Sequence, residues 1–190
     1  VAKLAILAKR WRYTTQGICV LSHTNAAPRQ IESPLGTTNV GREGLSYPHF
    51  IGTIHGFVNE FLALPWLRSK GIPIKMIDTD ICLERRWKAL PFNTRSALET
   101  NHHARSVLSI EDPECNLGDV RWGKGGVLGE NTTTYRAMKG VCEQSISDGY
   151  FCYNEMFVWA RELLDTIPEI AWIIRDRFPL LFFDEAQDNS

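Results

Sequence analysis

The stretch that most constrains this chain is Phe178 to Ser190, which reads F-P-L-L-F-F-D-E-A-Q-D-N-S. Leu180 to Phe183 are four apolar residues in a row, entered from Pro179. A short unbroken apolar run predicts a strand buried on both faces, as in a parallel sheet covered by helices. The run stops abruptly at Asp184-Glu185. Two carboxylates at the C-terminal end of such a strand lie where α/β proteins put their chemistry. One acid there can hold Mg²⁺, and the next can orient or deprotonate water. Taken alone, the pair also fits a strand ending in a solvated acidic turn.

Two other stretches have the same form, an apolar run followed by small polar residues. Ile18 to Leu21 predict a buried strand, and Ser22-His23-Thr24-Asn25-Ala26-Ala27 follow it. Backbone amides, the Thr24 hydroxyl and the Asn25 amide can face a ligand from such a loop. They also fit a helix cap, since Ala26 to Ser33 read as a helix with Pro28 in its first turn. Phe50-Ile51 predict a short strand running into Gly52-Thr53. Ile54, Phe57, Val58, Phe61 and Leu62 then repeat at helical spacing, and Pro65 is expected to end that helix. Thr53 and His55 sit at its start, where N–H groups and the positive end of the dipole suit a phosphate.

The string D-E-A-Q-D after an apolar strand resembles the Walker B motif (motif II) of UvrD/Rep-type superfamily-1 DNA helicases. Leu21 to Ala27 is similar to the family's motif Ia, and Gly52-Thr53-Ile54-His55-Gly56-Phe57 to its motif Ib, in the family's order. The likeness covers residues 1–65 and 149–190. It implies an α/β fold, a RecA-like P-loop NTPase parallel sheet flanked by helices, with an inserted, mainly helical subdomain. Residues 1–73 would begin domain 1A, 74–148 would form the 1B-like insertion, and 149–190 would return to 1A. ATP and Mg²⁺ are the implied cofactors. Asp184 would hold the metal, Glu185 would position the attacking water, and Gln187 would couple nucleotide state to DNA. Thr24, Asn25, Thr53, His55 and Phe57 would contact single-stranded DNA near a duplex junction. The resemblance also implies 3′-to-5′ travel. The family often has Ser where this chain has Gly56.

No G-x-x-x-x-G-K-[ST] loop occurs in the chain. Lys124-Gly125-Gly126 lacks that order. The expectation is an internal piece of a helicase, with further domains before Val1 and after Ser190, that neither hydrolyses ATP nor unwinds DNA alone. Two other classes stay open. One is a single-strand-binding module with no motor role. The other is a Mg²⁺-dependent nuclease using Asp184, Glu185 and Asp188, for which no further acidic or histidine cluster is evident.

Composition narrows the setting. With 44% hydrophobic and 23% charged residues over 190, the chain is an ordinary globular sequence. No apolar run approaches the roughly 20 residues needed to cross a bilayer. Five cysteines, an odd number without C-x-x-C spacing, argue against a disulfide framework or zinc site and for a reducing cytoplasm. Residues 1–73 carry eight Lys/Arg against three Asp/Glu, while 149–190 carry three against eight. The basic third holds the two stretches expected to meet nucleic acid.

The remaining elements are read from spacing. Val1 to Trp11 form an amphipathic helix. Ile72 to Asp78 form a strand. Asp80 to Leu90 form a helix with Cys82, Leu83, Trp87 and Leu90 on its buried face. Asn93 to Thr134 make an irregular subdomain. A helix follows on Met156, Ala160, Leu163, Leu164 and Ile167, capped by Asp148 or Asn154. Pro168 opens another, with Ile170, Ala171, Ile173 and Ile174 on its buried side.

Overall fold

A computed structural model describes residues 6–7, 10–23, 47–123 and 125–183. It is a mixed α/β structure with short parallel sheets. The chain divides into two compact units, one made of residues 1–58 and 164–190, the other of 59–163. The insertion drawn from sequence at 74–148 lies inside the second unit. Among the described residues no helix is long and apolar enough to cross a membrane.

The first unit is built on a three-stranded parallel sheet in which β1 (Ile18–Ser22) lies between β2 (Phe50–Thr53) and β7 (Leu180–Phe183). Strand β1 (Ile18–Ser22) is central and buried throughout, as its run of Ile, Cys, Val and Leu demands. Strand β2 (Phe50–Thr53) pairs with it through Cys19↔Phe50 to Ser22↔Thr53. Helix α1 (Ile54–Val58) follows β2 directly. Gln16 binds Asp176, and Gly17 N–H donates to the Arg177 carbonyl at 2.8 Å. His49 Nδ1 accepts the Ile18 N–H at 3.0 Å. Burial, with the Arg177 charge, lowers the His49 pKa and keeps that nitrogen an acceptor. Ile6, Leu7 and Arg10 are helical, within the expected 1–11 helix.

Two expectations for this unit change. Strand β7 (Leu180–Phe183) forms and pairs with β1 from Ile18↔Leu180 to Leu21↔Phe183. It is not buried on both faces, because Leu181 and Phe183 are about half exposed. Among the described residues β7 pairs on one side only, so it has an edge strand's alternating exposure. The helix after Pro168 spans Glu169–Arg177, yet none of its residues is buried. Trp172 and Ile173 are among the most exposed large apolar residues in the chain.

In the second unit Pro65 does not stop the helix. Helical conformation runs on through a π-helical turn, Asn59–Ala63, into α2 (Leu64–Ser69), with Pro65 in the first turn of α2. A proline ring inside an α-helix clashes with the carbonyl four residues back. The wider π turn moves that carbonyl away, and the missing N–H falls where a new α segment needs none. The expected strand at 72–78 shortens to β3 (Met76–Ile77), which pairs in parallel with β6 (Tyr150–Phe151).

Helix α3 (Thr79–Ala89) begins at Asp78, whose carboxylate accepts the Ile81 N–H at 2.9 Å. All four residues of its expected face are buried, and Arg86 is buried with them. The stretch read as irregular holds α4 (Phe92–Thr100), a 3₁₀ turn at Arg105–Leu108 and a small antiparallel pair, β4 (Arg121–Trp122) with β5 (Gly126–Val127). The loop between the 3₁₀ turn and β4 is held by polar anchors. Tyr135 Oη accepts the Leu117 N–H at 3.0 Å, and Asp112 accepts the Asn116 N–H at 2.9 Å. Helix α5 (Thr133–Ser147) has Thr132 as its N-cap and buries Tyr135, Met138, Cys142, Ser145 and Ile146. Asp148 lies at its C-terminal end, where it pairs with Arg85 at 2.7 Å, rather than capping the next helix. That next helix is α6 (Glu155–Thr166).

Candidate functional site

A parallel sheet sends the ends of all its strands to one edge, and the loops leaving that edge meet. The register makes this concrete. Ser22, the last residue of β1, pairs with Thr53, the last residue of β2. Leu21 pairs with Phe183, the last residue of β7. The three stretches singled out in the sequence therefore leave three adjacent strands at the same edge. Of the residues that follow these strands, His23 after β1 and Ile54 after β2 are described. Thr24, Asn25, Asp184, Glu185 and Gln187 lie outside the described residues.

Thr53 joins strand to helix. Its Oγ1 accepts the Gly56 N–H at 3.0 Å, which is the geometry of a helix N-cap. The side chain thus ends β2, starts α1 and sets the helix's positive end at this edge of the sheet. His55 is in the first turn of α1, partly exposed.

Phe57 has an internal place. Its ring lies edge-to-face with Phe50, centroids 5.5 Å apart, and with Phe178 at 5.8 Å. The three rings hold α1 onto the sheet, a geometry worth about 0.5–1.5 kcal/mol per pair beyond area burial. Gly52 makes room for this stack. A Cβ there would lie 2.8 Å from the tip of the Phe50 ring. Phe57 therefore packs α1 onto the sheet, and Thr53 and His55 lie at the end of β2 and in the first turn of α1.

Sequence reading missed one polar centre. Arg86 and Glu155 form a bidentate ion pair inside the second unit, with both side chains essentially inaccessible. Arg86 Nη1 also donates to the Leu108 carbonyl at 2.6 Å. Glu155 accepts the N–H groups of Ile110 at 3.1 Å and Cys152 at 2.9 Å. Burial opposes the Arg86 charge, but hydrogen bonds and charge from Glu155 outweigh it, so the guanidinium pKa rises. The signal was present: Arg86 falls on the stripe of Cys82, Leu83, Trp87 and Leu90, and a charge on a buried stripe requires a partner.

No protein-family model matches the chain, and no curated protein matches it in sequence.

Proposed function

We propose that this chain is part of an ATP-driven DNA-translocating motor of the UvrD/Rep type, with a RecA-like sheet. The observation that carries the reading is the register of β2, β1 and β7, which puts the strand ends preceding Thr24-Asn25, Thr53-His55 and Asp184-Glu185 side by side. A motor needs its nucleotide-sensing acids and its strand-gripping loops on one rigid edge, so that a change at one is felt at the other. In this reading Asp184 holds Mg²⁺, Glu185 positions water at the γ-phosphate, and Gln187 links the two functions. Thr24, Asn25, Thr53 and His55 grip the phosphates of a single strand, and Phe57 holds His55 in place. The sequence contains no phosphate-binding loop, so the 190-residue chain is expected to bind single strands without turning over ATP.

The test is fluorescence anisotropy with a labelled single-stranded oligonucleotide. Binding should weaken steeply as salt rises, because phosphate contact releases counterions. Thr53→Ala and His55→Ala should each weaken it by roughly tenfold, the loss of one hydrogen bond to a charged group. Affinity unchanged in both variants, with folding intact, would remove this edge from the strand-binding path.

A further inference from the structure

The second unit holds a pair of thiols that the motor reading does not use. The sulfurs of Cys82 and Cys152 and a carboxylate oxygen of Glu155 lie within 4.8 Å of one another, all buried. Cys82 comes from α3, and Cys152 follows β6. The trio has the composition of a metal site, but its chemistry is already committed. The two oxygens of Glu155 accept four N–H groups, two from Arg86 and one each from Ile110 and Cys152. That uses the lone pairs a metal would need. The Arg86 guanidinium, 4.0 Å from the Cys152 sulfur, opposes a second cation.

A groove of about 790 Å³ runs between α3 and α5 and is lined by Ile81, Arg86, Val141, Ser145 and Tyr150, among others. The Cys82 sulfur lies 3.5 Å from Ser145 Oγ and 3.5 Å from the Tyr150 carbonyl, both residues of the groove wall. The Cys152 sulfur lies 4.0 Å from Arg86 Nη1, and Arg86 is also in the groove wall. Both sulfurs lie behind the groove wall, Cys82 against two of its residues and Cys152 beside a third.

We propose that Cys82 and Cys152 are a dithiol modified by small hydroperoxides, with Cys82 as the attacking sulfur, Cys152 as the resolving one, and a disulfide between α3 and the start of α6 as the product. The electronic asymmetry supports the order. A hydrogen bond with Cys152 outweighs burial and, with the Arg86 charge, lowers the Cys82 pKa, while at Cys152 the same contact and burial raise it over the opposing Arg86 charge. In the first step the Cys82 thiolate attacks one peroxide oxygen. An S–O bond forms, the O–O bond breaks, and hydroxide leaves and takes a proton to become water. In the second, the Cys152 sulfur attacks the sulfenic sulfur of Cys82. The S–S bond forms, the S–O bond breaks, and a second water leaves with the Cys152 proton. Two thiols give up two electrons and two protons, and the peroxide accepts both.

The experiment treats the reduced 190-residue chain with hydrogen peroxide under native conditions and removes the excess. It then blocks remaining thiols in denaturant and maps peptides by mass spectrometry. The expected product is a Cys82–Cys152 cross-linked peptide about 2 Da lighter than its two thiol parts. In Cys152→Ser the reaction should stop at a Cys82 sulfenic acid that dimedone captures, and in Cys82→Ser no dimedone adduct should appear at Cys152. Both cysteines remaining free to alkylation in a chain that is still folded would overturn the proposal. So would a cross-link from either one to Cys115 or Cys142.

Discussion

Glu155→Ala is expected to cost the second unit roughly 3–5 kcal/mol, the penalty for leaving a buried charge without its partner. Glu155 is 1% exposed, and its two oxygens accept from Arg86 Nη1 and Nη2 as well as from the N–H groups of Ile110 and Cys152. Alanine would leave Arg86 Nη2 and the N–H groups of Ile110 and Cys152 without these acceptors, and Arg86 Nη1 with the Leu108 carbonyl alone. Against a total stability of about 5–15 kcal/mol for an ordinary domain, that loss leaves little. Glu155→Gln should recover part of it, since one amide oxygen can still accept while the amide nitrogen meets donors. The double variant Arg86→Met/Glu155→Leu should be less damaging than Glu155→Ala, because it removes both charges together. Guanidinium chloride unfolding, followed by far-UV circular dichroism, measures all three. A midpoint for Glu155→Ala equal to that of the unsubstituted chain would contradict this account of the core.

The second large effect is expected at Gly17. A Cβ there would lie 1.8 Å from the Pro48 carbonyl oxygen and 2.9 Å from Arg177 Nη1. Neither neighbour can step aside cheaply. Pro48 presents backbone, and its oxygen accepts from Arg177 Nη1 at 2.6 Å, while Gly17 N–H holds the Arg177 carbonyl. Three segments, the entry to β1, the approach to β2 and the end of the helix at Glu169–Arg177, are tied at this point. Gly17→Ala should therefore cost about 3 kcal/mol, at the upper end for overpacking. The damage should extend into β1 and so reduce single-strand binding. A thermal midpoint unchanged by the substitution would show that the three segments are not locked as described.

What was legible in the sequence follows from what each pattern reports. Ile18 to Leu21 was legible as a buried strand because a short unbroken apolar run fits a strand covered on both sides. The same argument overreached at Leu180 to Phe183. The run gives the strand but not its place in the sheet, and β7 pairs on one described side, with Leu181 and Phe183 half exposed. The helix at Glu169–Arg177 was legible for a similar reason, and its burial was not, since spacing shows an apolar face without showing what covers it. Pro65 misled because the rule that proline ends a helix assumes α geometry, and a π turn precedes it here. Helix α5 escaped notice although Thr132 caps it and Tyr135, Met138, Cys142 and Ile146 form a stripe, because Ser, Thr and Gly dilute the pattern. At the candidate site, Thr53 was legible as the hinge between strand and helix. Phe57 was not separable from a ligand contact until its rings' neighbours were known. The Arg86–Glu155 pair needed only one further step, the demand that a charge on a buried stripe be answered by an opposite charge on another.

The most direct test of the central claim is hydrogen exchange of the 190-residue chain with and without single-stranded DNA, read by mass spectrometry. The account predicts slowed exchange confined to the exits of β1 and β2, in peptides covering residues 22–25 and 53–57, and lost when salt is raised. Protection confined to residues 59–163, or none under conditions where the DNA is bound, would contradict it.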